Sequence, residues 1–254
     1  MLAQVRREKI IELLEKEGSV KADELNRLLE VSLMTINRDL TLLEKEGIIK
    51  RTFGGAIPAY HTSIIQSWNQ RLKTHPREKT KMAEKALALI CPGDSVFLDG
   101  STTAVFLARQ IKELKDITVV TNSLAIANEL DGAGGITLIS TGGKYESETM
   151  TWVGPYAELV LRDINIDKMF FSSDGIHLTR GLSEMDMVNL AIKKTVMGIS
   201  KEVVVIMDAS KFDKVFVAKV AELSQIDYLI TDKKIDKDTR ACFKKEKIEV
   251  IVSS

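Results

Sequence analysis

The chain is predicted to be an α/β protein, with a small three-helix head followed by an open, mostly parallel sheet covered by helices. Three observations predict this. Apolar residues recur at helical spacing over the first fifty positions. From about residue 79 short β-branched runs alternate with amphipathic stretches. The length, 254 residues, corresponds to two domains of unequal size at roughly 150 residues per domain. The expected division is a head over 1–57, a connector over 58–78 and a body over 79–254.

In the head, Ile10, Leu13 and Leu14 share one face of a first helix that closes at Glu17 and Gly18. A second helix over 22–29 turns Leu25, Leu28 and Leu29 inward. Glu30 and Val31 form a short step to Ser32, whose hydroxyl suits a helix N-cap. The third helix runs from Leu33 to about Glu46 and stops at Gly47. Its core face carries Ile36, Leu40 and Leu43; the opposite face shows Met34, Thr35, Asn37, Arg38 and Thr41. Residues 48–55 then read as a small hairpin.

Helix, helix, turn, capped helix and hairpin make a winged helix-turn-helix pattern. In such a unit the third helix lies in the major groove, and its unpaired N–H groups suit a phosphate. The expected DNA-binding residues are Ser32, Met34, Thr35, Asn37, Arg38 and Thr41 on the helix, with Lys50 and Arg51 on the hairpin clamping the backbone. The alternative is a protein-interaction module whose charges are merely solvated. Net charge is zero, with 36 basic and 36 acidic residues. Residues 58–90 hold 6 basic against 2 acidic, and 91–254 hold 20 against 24. A duplex must therefore be held by a local patch, not by a strongly positive domain.

The body has strand-like runs at 95–98, 118–121, 136–140, 168–172, 203–207, 228–231 and 249–252. Helical stretches lie between them at 103–115, 124–131, 187–200 and 237–247. Ligands of open parallel sheets bind at the carboxyl ends of the strands. Those ends carry Asp99 with Ser101, Thr102 and Thr103; Asn122 with Ser123; Gly142 and Gly143 with Lys144; Asp174; and Lys211. Singly each reads as a cap or a turn. Their recurrence after five strands points to one polar, anion-binding site, with Lys193 as a further cation. The ligand implied is small, polyhydroxylated and phosphorylated. Asp99, Asn122 and Asp174 would take hydroxyls, and Lys211 or Lys193 with the Ser-Thr-Thr turn the phosphate.

Other classes are excluded or unsupported. Hydrophobic residues at 44% and charged residues at 28% do not fit a collagen-like or broadly disordered chain. The longest apolar runs, 86–91 and 203–207, are far below the roughly 18 residues of a membrane span. The first residues carry charges where a secretory leader is apolar. Two cysteines, Cys91 and Cys242, make no disulfide framework, so a cytoplasmic setting is expected. His61, His75 and His177 are isolated, and neither a P-loop nor a nucleophile elbow is present. No metal and no cofactor are expected.

The stretch VSLMTINRDLTLLEKEGIIKRTFGGA resembles the signature of DeoR-family transcriptional regulators, a Val-Ser-x-x-Thr-Ile-Arg-Arg-Asp-Leu helix followed by a basic Gly-Gly-Ala wing. Ser32, Thr35, Ile36, Arg38, Asp39, Leu40, Gly47, Arg51, Gly54, Gly55 and Ala56 match. Asn37 stands where the family has the first of two arginines, which removes a charge from the DNA face but leaves a side chain able to read adenine. The body is similar to the family's effector domain, whose fold is of the ribose-5-phosphate isomerase-like type. The matching pieces include Arg71, Lys79, Asp99, Thr102, Asn122, Gly142, Gly143, Gly154, Asp174, Gly181, Lys193, Asp208, Lys211 and Asp232. Ser101 replaces a frequent glycine, and Asn189 a glutamate, one turn before Lys193.

The resemblance implies a repressor of a carbohydrate-metabolism operon, released from double-stranded operator DNA by a phosphorylated sugar and acting as a homodimer or homotetramer. The rival is a sugar-phosphate isomerase or deaminase with a DNA-binding head, using Asp99, Asp174, Glu184 and Lys211 as acid and base. A dimer making ~6–10 phosphate contacts should show a log–log salt slope of about −5 to −9 on duplex DNA. Anisotropy titrations over a salt series measure it, and a flat response would favour the protein-interaction head.

Overall fold

The computed structural model describes residues 2–17, 19–46, 48–52, 54–58 and 68–253. The expectations at Gly18, Gly47, Phe53 and over 59–67 lie outside the described residues. The chain forms two compact units, 1–71 and 72–254.

The first unit contains helices α1 (Ala3–Glu17), α2 (Ala22–Leu29) and α3 (Leu33–Lys45). Strands β1 (Val20–Lys21), β2 (Ile49–Thr52) and β3 (Gly55–Pro58) form an antiparallel sheet in the order β1-β3-β2. The hairpin was legible, whereas β1 is two residues long and shows no period. Gly55 admits it: a Cβ there would stand 2.1 Å from the Val20 carbonyl oxygen. Ser32 caps α3 as its sequence suggests, its Oγ accepting from the Thr35 N–H at 3.2 Å.

Ile10, Leu14, Leu25, Leu29, Ile36, Leu40 and Leu43 form the core of this unit. Leu28 does not join it and is 60% exposed. Ala22, Leu25 and Leu29 set the buried stripe of α2, and at 3.6 residues per turn Leu28 lies about a quarter turn from its centre. A polar link crosses the core. Arg6 Nε on α1 donates to Asp39 Oδ2 on α3 at 2.5 Å, and both side chains are buried. That hydrogen bond outweighs burial and raises the arginine pKa further.

Helices α4 (Trp68–Lys73) and α5 (Pro76–Leu87) occupy part of the stretch expected to be a connector. Pro76 sits at the start of α5, where its missing N–H is no loss. The remaining order is β4 (Ser95–Leu98), α6 (Thr102–Ile111), β5 (Ile117–Thr121), α7 (Leu124–Leu130), β6 (Ile136–Ser140), β7 (Lys144–Glu146), β8 (Thr151–Val153), α8 (Pro155–Arg162), β9 (Ile166–Phe171), β10 (Gly175–His177), β11 (Gly181–Glu184), α9 (Leu190–Ile199), β12 (Ser200–Ile206), β13 (Ala218–Ala221), β14 (Tyr228–Asp232), α10 (Lys237–Lys245) and β15 (Glu249–Ser253).

The seven runs expected to be strands form one sheet, in the order β15-β14-β12-β9-β4-β5-β6. Every pairing in it is parallel. From β4 the chain winds outward through β5 to β6, then returns to β9 on the other side of β4 and winds through β12 and β14 to β15. Right-handed crossovers therefore set α6 and α7 on one face, and α9 and α10 on the other. The reversal falls between β4 and β9. The short antiparallel pairings β7-β8 and β10-β11-β13 were not foreseen, because strands of three or four residues carry too few alternations to register. Among the described residues, no helix is long and apolar enough to cross a membrane.

Asp39→Ala should strip the buried Arg6 guanidinium of its partner. Breaking a buried pair from one side typically costs about 3–5 kcal/mol. Native-state hydrogen exchange of the α3 amides should report a loss of that order, and a loss well under 1 kcal/mol would mean that the pair behaves as an exposed one.

Candidate functional site

The reversal of strand order places the carboxyl ends of β4 and β9 side by side, the position where open α/β sheets bind ligands. Asp99 leaves β4 there, buried, its backbone N–H donating to the Phe170 carbonyl at 3.3 Å. One carboxylate oxygen accepts from the Ser101 N–H at 3.1 Å and the other from the Ser172 N–H at 3.4 Å. Lys193, one turn into α9, reaches into this crevice. Its ammonium donates to the Ser172 carbonyl at 2.7 Å, lies 3.3 Å from Asp99 Oδ2 and hydrogen-bonds Glu184 at the end of β11. The Phe171 ring lies 5.6 Å from the ammonium.

The electrostatics follow from one ammonium facing several carboxylates. Burial lowers the Lys193 pKa, but Glu184 and Asp99 outweigh it and hold the value above that of an ordinary lysine. Burial pushes the Glu184 carboxyl up, helped by Asp174 and Asp99, and Lys193 offsets only part of this. Lys211 stands at the edge, donating to Ser172 Oγ at 3.1 Å and the Ser173 carbonyl at 2.7 Å. Nearby, burial would raise Asp208, yet Lys211 and hydrogen bonds from Ser210 hold it below the usual carboxylate range. Asp174 accepts from the Met185 N–H at 3.0 Å.

Asn122 follows β5 and is buried. Its Nδ2 donates to the Trp152 carbonyl at 3.2 Å and to Asn189 Oδ1 at 3.0 Å, while its Oδ1 has no hydrogen-bond partner. Asn189 occupies the N-cap position of α9 without a side-chain cap bond, so the Asn122–Asn189 pair and the Lys193 cluster lie one helical turn apart. Strand β8 closes over this side. Thr151 packs on Gly100, where a Cβ would come within 2.1 Å of its methyl group. Ser101 and Ser123 spend their hydroxyls as N-caps of α6 and α7. Thr102 and Thr103 are buried in the first turn of α6.

The structure thus gathers Asp99, Lys193 and Lys211, with Asp174 and Asn122 alongside. Gly142 and Gly143 form the left-handed turn into β7, at φ values of 59° and 107°. Lys144 points outward and pairs with Glu146 at 3.0 Å. Glu184 and Asn189 join the crevice without belonging to the expected binding set. Glu184 lies in a four-residue strand without a visible period, and its only signal was an acidic residue inside an otherwise buried segment.

On the first unit, Met34 is 82% exposed and Arg38, Thr41 and Lys50 face solvent. Ser32 and Thr35 share a hydroxyl–hydroxyl hydrogen bond of 2.8 Å at the start of α3. Arg51 folds back from β2 onto α3, its Nη2 donating to Asn37 Oδ1 at 2.7 Å. Glu44, not foreseen, accepts from the Arg51 backbone N–H at 2.9 Å and so ties the wing to the helix.

Residues 6–61 match the DeoR-like helix-turn-helix domain, and residues 74–233 match the DeoR C terminal sensor domain. The chain belongs to the DeoR family. Relatives of this DeoR-family protein include the HTH-type transcriptional repressor GlcR of Bacillus subtilis (strain 168). It is 36% identical over 225 residues, 88% of this chain and 86% of that one. Another is the L-fucose operon activator of Haemophilus influenzae, 30% identical over 230 residues, 91% of this chain and 92% of that one. Among solved structures, ribose 5-phosphate isomerase from Plasmodium falciparum aligns with a TM-score of 0.39 at 21% identity, over 53% of this chain and 52% of that one. The protein is a DNA-binding transcription regulator and not an enzyme, as are its family and relatives.

Lys193→Met should leave Asp99 and Glu184 facing each other without a cation, and lower stability at neutral pH by about 3–5 kcal/mol. A carboxyl whose pKa is raised in the fold binds protons more tightly there than when unfolded, so the loss should shrink as pH falls through the raised Glu184 value. Urea denaturation at neutral and mildly acidic pH measures this. An equal loss at both would show that the charges do not carry the effect.

Proposed function

We propose that this DeoR-family protein represses a carbohydrate-metabolism operon in the cytoplasm and leaves its operator when a phosphorylated sugar binds at the carboxyl edge of the seven-stranded sheet. The observation that carries this reading is the buried Asp99–Lys193–Glu184 cluster at the reversal of strand order, beside an Asn122 oxygen that lacks a partner. Asp99, Asn122 and Asp174 suit sugar hydroxyls. The turn made by Ser101, Thr102 and Thr103 at the start of α6, with Lys211, suits the phosphate. Lys193 holds the carboxylates in place for the sugar. Gly142, Gly143 and Lys144 form the outer wall.

DNA is read through α3 and the wing. Ser32, Met34, Thr35, Asn37, Arg38 and Thr41 face the major groove, and Lys50 and Arg51 face phosphates. A homodimer or homotetramer presents two such helices, so the operator carries repeated half-sites. For the sugar to release DNA it must favour one arrangement of the protein over the other. A typical coupling is ~1–3 kcal/mol, or about 5–150-fold.

Arg38→Ala should weaken binding to the duplex upstream of the protein's own gene by about tenfold or more, with sugar-phosphate binding unchanged. Asp99→Asn should do the reverse. Anisotropy for DNA, and calorimetry with ribose-5-phosphate, fructose-6-phosphate and glucosamine-6-phosphate, check both arms. Parallel loss of both bindings in either folded variant would sink the two-module account.

A further inference from the structure

Asn37 occupies the DNA-facing side of α3, where an asparagine is usually taken to read adenine through its amide oxygen and nitrogen together. Here both atoms are already engaged. Nδ2 donates to the Leu33 carbonyl one turn back at 3.0 Å, and Oδ1 accepts from Arg51 Nη2 at 2.7 Å. Arg51 Nη1 leans on the same turn, 3.4 Å from the Asn37 carbonyl and 3.5 Å from Thr41 Oγ1. Thr41 Oγ1 in turn donates to the Asn37 carbonyl at 2.8 Å. The Arg51 backbone is held independently by Glu44. Its Nε is buried and has no hydrogen-bond partner. The guanidinium is thus docked against α3 through its Nη atoms.

A guanidinium offers five N–H donors; with three engaged by Asn37 and Thr41 and the Nε one buried, a docked Arg51 retains one Nη2 N–H, and its full charge, for an anion. An undocked arginine on a four-residue strand would have to lose side-chain freedom on meeting DNA, a cost that is largest for long side chains. Docking it beforehand removes part of that cost. Reading a base through Asn37 would instead have to fit the one N–H and one lone pair that these two hydrogen bonds leave, with the amide plane already fixed by Leu33 and Arg51.

We propose that Asn37 is a positioning residue: its side-chain oxygen holds the Arg51 guanidinium against the recognition helix, so that Arg51 meets an operator phosphate pre-oriented, and Asn37 makes no base contact of its own. This rests on the DNA-binding reading and deepens it. An arginine at position 37 could not play this part, because it would set like charge against Arg51.

The test uses the full chain and a duplex that it selects from a random-sequence pool. A phosphate contact adds about one unit to the salt slope. Arg51→Ala should lower the slope by about that amount. Asn37→Ala removes no charge, yet it should lower the slope similarly and weaken binding by about tenfold, in the range of a hydrogen bond to a charged group. Asn37→Ala added to Arg51→Ala should change little further. Affinity for duplexes with single base-pair changes should fall uniformly, so that discrimination among them is unchanged.

Three results would overturn the proposal: an unchanged slope for Asn37→Ala, additive losses in the double variant, or loss of discrimination at one base pair only. Amide protection of α3 monitors folding. Should Asn37→Ala reduce it, Asn37→Ser, too short to reach Arg51, takes its place. Failure of the unaltered chain to select any duplex would instead overturn DNA binding itself, and this proposal with it.

Discussion

The buried ammonium of Lys193 is the interaction on which the larger unit depends. It is the one charge that lets Asp99 and Glu184 sit close together, and those two residues come from different parts of the chain, the end of β4 and the end of β11. Removing a charge from water costs several kcal/mol unless partners are fixed around it. Here the Ser172 carbonyl and the two carboxylates are those partners, each at the end of a strand. The strand ends can therefore neither slide nor splay without stranding a charge. A polar crevice survives inside an apolar sheet because its charges satisfy one another.

The smaller unit uses the same device with less charge. Arg6 and Asp39 are 33 positions apart, yet their ion pair fixes α1 on the back of α3 while Ile36, Leu40 and Leu43 fill the rest of the interface. On the front of α3, Asn37 and Glu44 hold the wing through Arg51. The recognition helix is thus gripped from behind by an ion pair and from in front by hydrogen bonds. It can present one surface to a duplex as a unit, which is how the fold turns local helix geometry into a binding face.

Regulation needs both halves to be stable yet adjustable. Burial of the crevice, helped by Asp174 and Asp99, keeps Glu184 above its usual range although Lys193 faces it. On the proposed reading, a ligand bringing hydroxyl donors and a phosphate would redistribute the hydrogen bonds that now hold these charges. The Asn122 oxygen, buried without a hydrogen-bond partner, is the group with most to gain.

By itself the sequence determined the elements whose burial imposes a long enough period. The seven strands of the parallel sheet were legible as short runs of β-branched or aromatic residues, most of them buried at the centre of the sheet and only partly so in β6 and β15. So were the three helices of the head, whose apolar residues fall at 3.6-residue spacing, and the cap at Ser32. The polar residues at the strand ends were legible too, since a parallel sheet can expose a site only there. Tertiary structure decided what period cannot encode. Leu28 fell outside the core because Ala22, Leu25 and Leu29 already define the stripe that packs. β1 exists only because Gly55 lets another backbone approach. Glu184 and Asn189 became part of the crevice, and the Asn37 side chain met Arg51, through contacts made across 9 to 67 positions of chain. A side chain's partner is chosen by which elements pack together, and that choice belongs to the folded chain as a whole.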